Sequence, residues 1–335
     1  MAAATRLSLT VPEAPLMATI TPLQYAKNYW DMQVPIVDDT TEKVKEWITV
    51  RVDSYRLKAD EAAMNDFMSK ARPRLDQKDG KQRVSESLTV FVKTSQGTED
   101  TKTYADRFAL AENAKDPFYG KGCPEDVQVT LQLAIRFGVI QPTKEAIQAY
   151  CNTDHLGLDC NGFIGNYIRH GLQKAPWHVD PAKTDRSIQA NSAINAIMAH
   201  CTPVGSVEDI VRAPNRSYVL ALVDAGTGRI RDYADSPVGH IMITEPGPVL
   251  YRPWQVWAGG FGGVGYNNVL ALRVVEATGK HEMVSSLKRS GFEGLVSSEY
   301  LILAEDKRRH FTIFTVHRGS KAKTVQVRIA AVPGT

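Results

Sequence analysis

Near residue 217 the apolar residues of this chain change period, and that change restricts its fold more than any other feature. Beyond it, six segments alternate or run apolar over a strand's length: Tyr218–Asp224, Gly239–Thr244, Val269–Glu276, Tyr300–Ala304, Phe311–Val316 and Val325–Ile329. Ahead of it the spacing is helical. Val127, Leu131, Leu133, Ala134 and Phe137 form one stripe, opened by Pro124 and stopped by Gly138. Thr143–Tyr150, Cys160–His170 with Gly171 as its cap, and Asp185–His200 read as further helices. Helices first and strands afterwards, without βαβ alternation, argue for an α+β fold with an antiparallel sheet.

The residues before Asp116 read differently. Residues 1–35 carry four proline breaks, Pro12, Pro15, Pro22 and Pro35, and read as an irregular arm. The β-branched end of Lys43–Tyr55 favours a strand, Glu61–Ala71 a helix stopped by Pro73, and Ser87–Val92 a half-buried strand. The polar stretch Thr94–Lys102 reads as a loop. At roughly 100–200 residues per domain, 335 residues suggest two domains. The division falls into 1–115, a small α+β unit without a chemical motif, and 116–335, which carries the chemistry.

Charge and cysteine content exclude several classes. Lys+Arg 40 against Asp+Glu 37 leaves +3, too little for the electrostatic footprint of a nucleic-acid binder. No apolar run approaches the length of a membrane span. The N-terminus lacks both the basic start and the apolar core of a secretory signal. The four cysteines, Cys123, Cys151, Cys160 and Cys201, make neither a disulfide framework nor a CxxC zinc pattern, so no metal or other cofactor is expected.

One cysteine stands at a helix start. Gly157 permits a turn, Asp159 is a good N-cap, and Cys160 follows in the first helical turn, where unpaired N–H groups and the helix dipole favour a thiolate. The alternative reading of Cys160 is a small buried hydrophobe. The segment GLDCNGFIGNYI resembles the nucleophile motif of the NlpC/P60 family of papain-like cysteine peptidases, G-x-D-C-S-G-[FL]-[VI] with a Tyr a few positions on. Gly157, Asp159, Cys160, Gly162, Phe163, Ile164 and Tyr167 match, and Asn161 replaces the usual Ser. The family's second motif, a strand that begins with histidine after a short turn, is similar to Ser236-Pro-Val-Gly-His240-Ile-Met-Ile, with Met242 where a small residue is commoner. The resemblance covers about residues 140–280 and implies a papain-like α+β domain, helices packed on an antiparallel sheet, with residues 1–115 serving targeting, loading or wall binding.

A cysteine nucleophile needs a base that can take its proton and return it to a leaving amine. Of eight histidines only His240 opens an apolar strand directly after a Pro/Gly turn. His170 lies about 15 Å along the same helix from Cys160, out of reach, and His317 is the reserve. A third group should orient the imidazole. In the family it sits on the next strand, and pairing about a midpoint near residue 258 sets Glu276 opposite His240, since 240 + 276 = 2 × 258. Asn267, Asn268 and His281 are the alternatives.

The oxyanion falls to the Cys160 N–H and one upstream donor, for which Tyr150 matches an aromatic position of the family. Asp159 and Asn161 flank the sulfur. Gly260-Phe-Gly262-Gly-Val-Gly265 fits G-x-G-x-x-G but lacks the strand-then-helix setting of a dinucleotide site. With Trp254 and Trp257, residues 250–268 read instead as an aromatic loop, either over the cleft or packed on itself.

The resemblance implies hydrolysis of an amide bond in the stem peptides of bacterial peptidoglycan. Two rivals stand beside it: deamidation or acyl transfer by the same residues, and an inactive wall- or partner-binding module with a structural thiol. A wall hydrolase must reach the wall. Without a signal, that implies phage release at lysis, or a toxin delivered by a dedicated secretion apparatus and held in check by an immunity partner; otherwise the chain is cytoplasmic.

Overall fold

The structure, a computed structural model, describes residues 20–335 except 39, 53, 56–59, 76–77, 80–81, 84–87, 96, 98, 105–113, 153–154, 172–187, 233–234, 236–238, 259–262, 279–293 and 320–322. The chain runs through α1 (Pro22–Trp30), β1 (Met32–Asp38), β2 (Lys43–Val50), α2 (Glu61–Leu75), β3 (Lys78–Asp79), β4 (Gln82–Arg83), β5 (Leu88–Lys93) and β6 (Glu99–Tyr104). Next come α3 (Pro124–Arg136), α4 (Lys144–Asn152), α5 (Cys160–Asn166), α6 (Ile194–His200), β7 (Thr202–Pro203) and α7 (Val207–Arg212). The last strands are β8 (Tyr218–Leu222), β9 (Ile241–Thr244), β10 (Leu250–Ala258), β11 (Gly263–Thr278), β12 (Gly294–Lys307), β13 (Thr312–Arg318) and β14 (Lys323–Ala331).

Six of these strands close into an antiparallel barrel: β8 pairs β9, β9 pairs β11, and β11, β12, β13 and β14 follow in order until β14 returns to β8. This corrects the expected papain-like α+β arrangement of helices on an antiparallel sheet. The individual strands and their antiparallel sense were legible. Closure was not, because a period of two shows that a strand has a core face and not whether the last strand meets the first. The barrel is filled by Leu220, Met242, Leu272, Val274, Tyr300, Ile302, Phe314, Val316, Val327 and Ile329. On β8, β9 and β11 the outward residues Val219, Ala221, Ile241, Ile243, Val275 and Ala277 are buried too, in a second core shared with the helices. Thus β9 reads as four consecutive buried residues, and α5 lies against its outer face.

Local chemistry explains the other departures. Residues 20–35 are not an arm: Thr21 accepts from the Gln24 N–H, Gln24 returns the bond, and Pro22 occupies the first turn of α1, where a proline starts a helix rather than breaking one. Pro35 sits in β1 opposite Trp47. Residues 1–19 lie outside the described residues. Pro73 does not stop α2, which continues to Leu75. The stretch expected as a loop contains β6, hairpinned onto β5 with Val92 opposite Asp100, and of its polar residues Glu99 and Thr101 are exposed. Only Ile194–His200 of the expected 185–200 helix is helical, 188–193 being turn and extended chain and 185–187 outside the described residues. The Cys160 helix ends at Asn166 and passes into a π-helical turn, Tyr167–Gly171. Residues 250–268 are not a loop: β10 folds back on β11 from Leu250↔Ala271 to Ala258↔Gly263, with 259–262 outside the described residues.

The helical core crosses residue 115. Tyr25 and Tyr29 of α1 meet Phe163 of α5 at ring-centroid distances of 5.8 and 6.3 Å, and Tyr25 meets Tyr167 at 5.6 Å. Trp30 Nε1 donates to the Leu295 carbonyl at the start of β12 (3.0 Å), and the Leu23 N–H donates to Glu245 Oε2 (2.7 Å). No helix among the described residues is long and apolar enough to cross a membrane.

Candidate functional site

The turn that delivers Cys160 is held on both sides. The Leu158 N–H donates to the Ser54 carbonyl (2.8 Å), and Tyr55 and Leu158 form a parallel bridge; opposite, the Asp159 N–H donates to the Gly120 carbonyl (3.1 Å). Asp159 caps α5 by accepting from the Gly162 N–H (2.5 Å) and pairs with Lys121 Nζ. A Cβ on Gly162 would stand 2.1 Å from the Gly120 carbonyl oxygen, so only glycine lets α5 approach that strand of backbone. Gly239 does the same service for the histidine. Its N–H donates to the Asp232 carbonyl (2.8 Å), and a Cβ there would lie 2.2 Å from the Arg231 carbonyl oxygen.

His240 enters β9 in phase with Met242, which faces the barrel interior. The register between β9 and β11 sets Val275 opposite Ile243, two residues from the symmetric pairing that put Glu276 opposite His240. Two residues is one full side-chain period, so Glu276 stays on the face expected of it. His240 Nε2 lies 2.6 Å from Glu276 Oε2. His240 is 7% exposed and Glu276 fully buried.

Cys160 is 5% exposed, on a helix packed against β9, and the N–H of Ile241, the residue after His240, is among the groups that favour its thiolate. Asn161 Oδ1 accepts from the thiol at 3.4 Å, while Asn161 Nδ2 donates to the Ser192 carbonyl (3.0 Å). Tyr55, bridged to Leu158 two residues before the cysteine, has a phenol raised first by burial and then by the neighbouring Cys160 sulfur. The electrostatics run against a resting thiolate. Burial first, and then the Asp159 carboxylate, push the Cys160 thiol up to about 12, outweighing the Ile241 N–H and the Lys121 ammonium. The N–H groups at the helix start favour the thiolate, but desolvation of a sulfur with almost no contact with water outweighs them.

The structure thus brings His240 and Glu276 into contact and sets Cys160 against the strand that begins at His240. It gives Tyr150 other surroundings: its ring packs on His155 at 5.0 Å, and burial, with Asp66 and Asp60, raises its phenol above the usual range. The tyrosine whose phenol is coupled to the Cys160 sulfur is Tyr55. His317 alternates away from Arg318 on β13 and packs against Trp254 at 4.8 Å, on the barrel face opposite to Glu276. Asn267 and Asn268 are exposed and pair with Trp254 and Pro253 of β10. His281 and the Trp257 side chain lie outside the described residues.

Three residues of the site escaped the sequence reading. Tyr55 carried no signal, since the bridge to Leu158 is visible only in the fold. Tyr300 and Arg318 did carry one. Arg318 follows Phe314 and Val316 at intervals of two and therefore shares their interior face; Arg318 NH2 donates to Glu276 Oε2 (2.6 Å), its Nε donates to the Tyr300 hydroxyl (2.8 Å), and that hydroxyl donates to Glu276 Oε1. Among the described residues no cluster of His, Cys, Asp or Glu is arranged to hold a metal ion. Compared with protein-family models, curated proteins and solved structures, the chain matches none.

Proposed function

We propose that the protein is a cysteine hydrolase that cleaves an amide bond in the peptide part of bacterial cell wall. The observation that carries this reading is the buried His240–Glu276 pair at the entry to β9, the strand on whose outer face the helix of Cys160 packs. With Nε2 committed to Glu276, Nδ1 is the ring nitrogen that exchanges a proton with sulfur. The thiol proton passes to Nδ1 as the sulfur pair bonds to the carbonyl carbon and the C=O π pair moves onto oxygen. When the C–N bond breaks, that proton goes to the leaving nitrogen, and water then releases the acyl group from sulfur. Glu276 holds the ring and balances its charge while it is an imidazolium.

The choice of peptidoglycan stem peptides rests on the resemblance of Gly157–Tyr167 and of the His240 strand to NlpC/P60 peptidases. The resemblance lies in these two segments and not in the sheet architecture. Delivery as a toxin with an immunity partner, or release with a phage, follows only if this substrate class holds. Cys160→Ala is expected to abolish muropeptide release from purified sacculi while leaving the thermal melt unchanged; undiminished release would overturn the proposal. The burial of Cys160, which is only 5% exposed, favours a second reading, an inactive partner-binding module. That reading expects no turnover of any stem peptide, or of any protein glutamine, by wild-type protein.

A further inference from the structure

Among the described residues the barrel is filled mainly by apolar side chains, and a charged group is buried at the end where His240 enters. There Glu276 of β11, Tyr300 of β12 and Arg318 of β13 form one hydrogen-bonded group, with both Glu276 oxygens engaged. The Arg318 side chain is 3% exposed and that of Glu276 fully buried. Orienting an imidazole needs only an acceptor, and a neutral amide would supply one without burying two charges. A guanidinium bonded to the same carboxylate oxygen, Glu276 Oε2, that meets His240 changes the charge that the imidazole meets. Beside a lone buried carboxylate the imidazole is drawn to its protonated form, whereas beside a carboxylate already paired with a cation it is not.

We propose that Arg318 is a positioning residue which balances the charge of Glu276, so that the site rests as a neutral thiol beside a neutral imidazole rather than as a thiolate–imidazolium pair. This deepens the hydrolase reading and rests on it for its catalytic meaning. Among the described residues, Glu276, Tyr300 and Arg318 are titratable or charged groups that face His240 from the barrel strands. From the helical side come Cys160, the Asp159–Lys121 pair and Tyr55, whose phenol is raised first by burial and further by its acidic surroundings. Of these only Arg318 and Lys121 are cations, and Lys121 is already bonded to Asp159. The environment of the sulfur agrees, since it disfavours the thiolate. A base that rests neutral can take the thiol proton during attack, as the mechanism requires; one already protonated cannot.

The test reads His240 itself, without substrate, by following its ring signals through a pH titration by NMR. In Arg318→Met the titration midpoint of His240 is expected to rise by about 1–3 pH units. In Glu276→Gln, which leaves the cation without its carboxylate, it is expected to fall below that of wild type. The double variant, with neither charge, should return to near the wild-type value. A folded Arg318→Met protein whose midpoint does not move would overturn the proposal. If that variant does not fold, an unmoved midpoint in Glu276→Gln does the same. Sacculus digestion is scored separately. Midpoints that move in an enzyme without wall activity uphold the charge balance while refuting the hydrolase reading, and active enzyme with unmoved midpoints does the reverse.

Discussion

A cysteine at a helix start has two opposing influences on its proton, and in Cys160 they can be separated. Aligned N–H groups and Lys121 favour the anion, while burial and the Asp159 carboxylate favour the thiol, and the second pair prevails. Asp159→Asn keeps a side-chain oxygen for the Gly162 N–H, because asparagine caps helices about as well as aspartate. It removes the negative charge nearest the sulfur and leaves Lys121 uncompensated. Alkylation of Cys160 by iodoacetamide at pH 8, mapped by mass spectrometry to distinguish it from Cys123, Cys151 and Cys201, is therefore expected to quicken by at least about tenfold, one pH unit of thiol acidity. An unchanged rate would mean that burial alone sets the thiol. At this scale the sequence was informative where chemistry lies within one segment. Asp159, Cys160 and Gly162 are each explained by the turn they build, and His240 by Gly239 before it. It was silent on Tyr55, which the fold brings beside the cysteine turn through its bridge to Leu158.

At the level of elements, placement of the nucleophile depends on how closely α5 can lie on the backbone at Gly120. Gly162→Ala sets a methyl against a carbonyl oxygen that is itself bonded to the Asp159 N–H, so neither side yields without losing the cap. A loss of about 1–3 kcal/mol is expected from overpacking. Urea titration measures it, and a stability equal to wild type would show that the turn has slack. The start of α3 gives a prediction in pH. Asp126 accepts from the Cys123 N–H (2.9 Å) in a capping box, and burial lifts its carboxyl to about 6. A carboxyl raised in the fold is protonated there while the unfolded chain has already lost its proton, so its contribution favours folding below about pH 4 and is lost as pH rises to about 6. The difference is about 3 kcal/mol, from roughly two pH units at 1.36 kcal/mol each. Wild type minus Asp126→Asn, compared by urea titration at pH 4 and pH 7, should show that trend, and a flat difference would contradict it.

Over the whole molecule, one short strand makes the barrel a barrel. β9 has four residues, joins β8 on one side and β11 on the other, and begins just after His240. The six segments with a period of two were all found as strands because each has an apolar face. What decides closure is that β9 reaches past the β10 hairpin to the far half of β11, and nothing within either segment encodes that reach. The same limit applies to the division at residue 115. Composition and motif content separate the two parts, yet Tyr25 and Tyr29 are fully buried against Phe163 and Tyr167, the residues that follow the nucleophile on its own helix and turn. Removing α1 would uncover that aromatic face of α5 and leave Glu245 without the Leu23 N–H. Burying one such aromatic side chain is worth about 1.5–3 kcal/mol, and a domain's net stability is about 5–15 kcal/mol, so the loss of several cannot be absorbed. Residues 116–335 expressed alone are therefore expected to bind a hydrophobic dye and to melt without a cooperative transition, whereas the full chain melts in one. A sharp melt of the 116–335 fragment, with His240 and Cys160 behaving as in the full chain, would show instead that the chemical half stands without the N-terminal part.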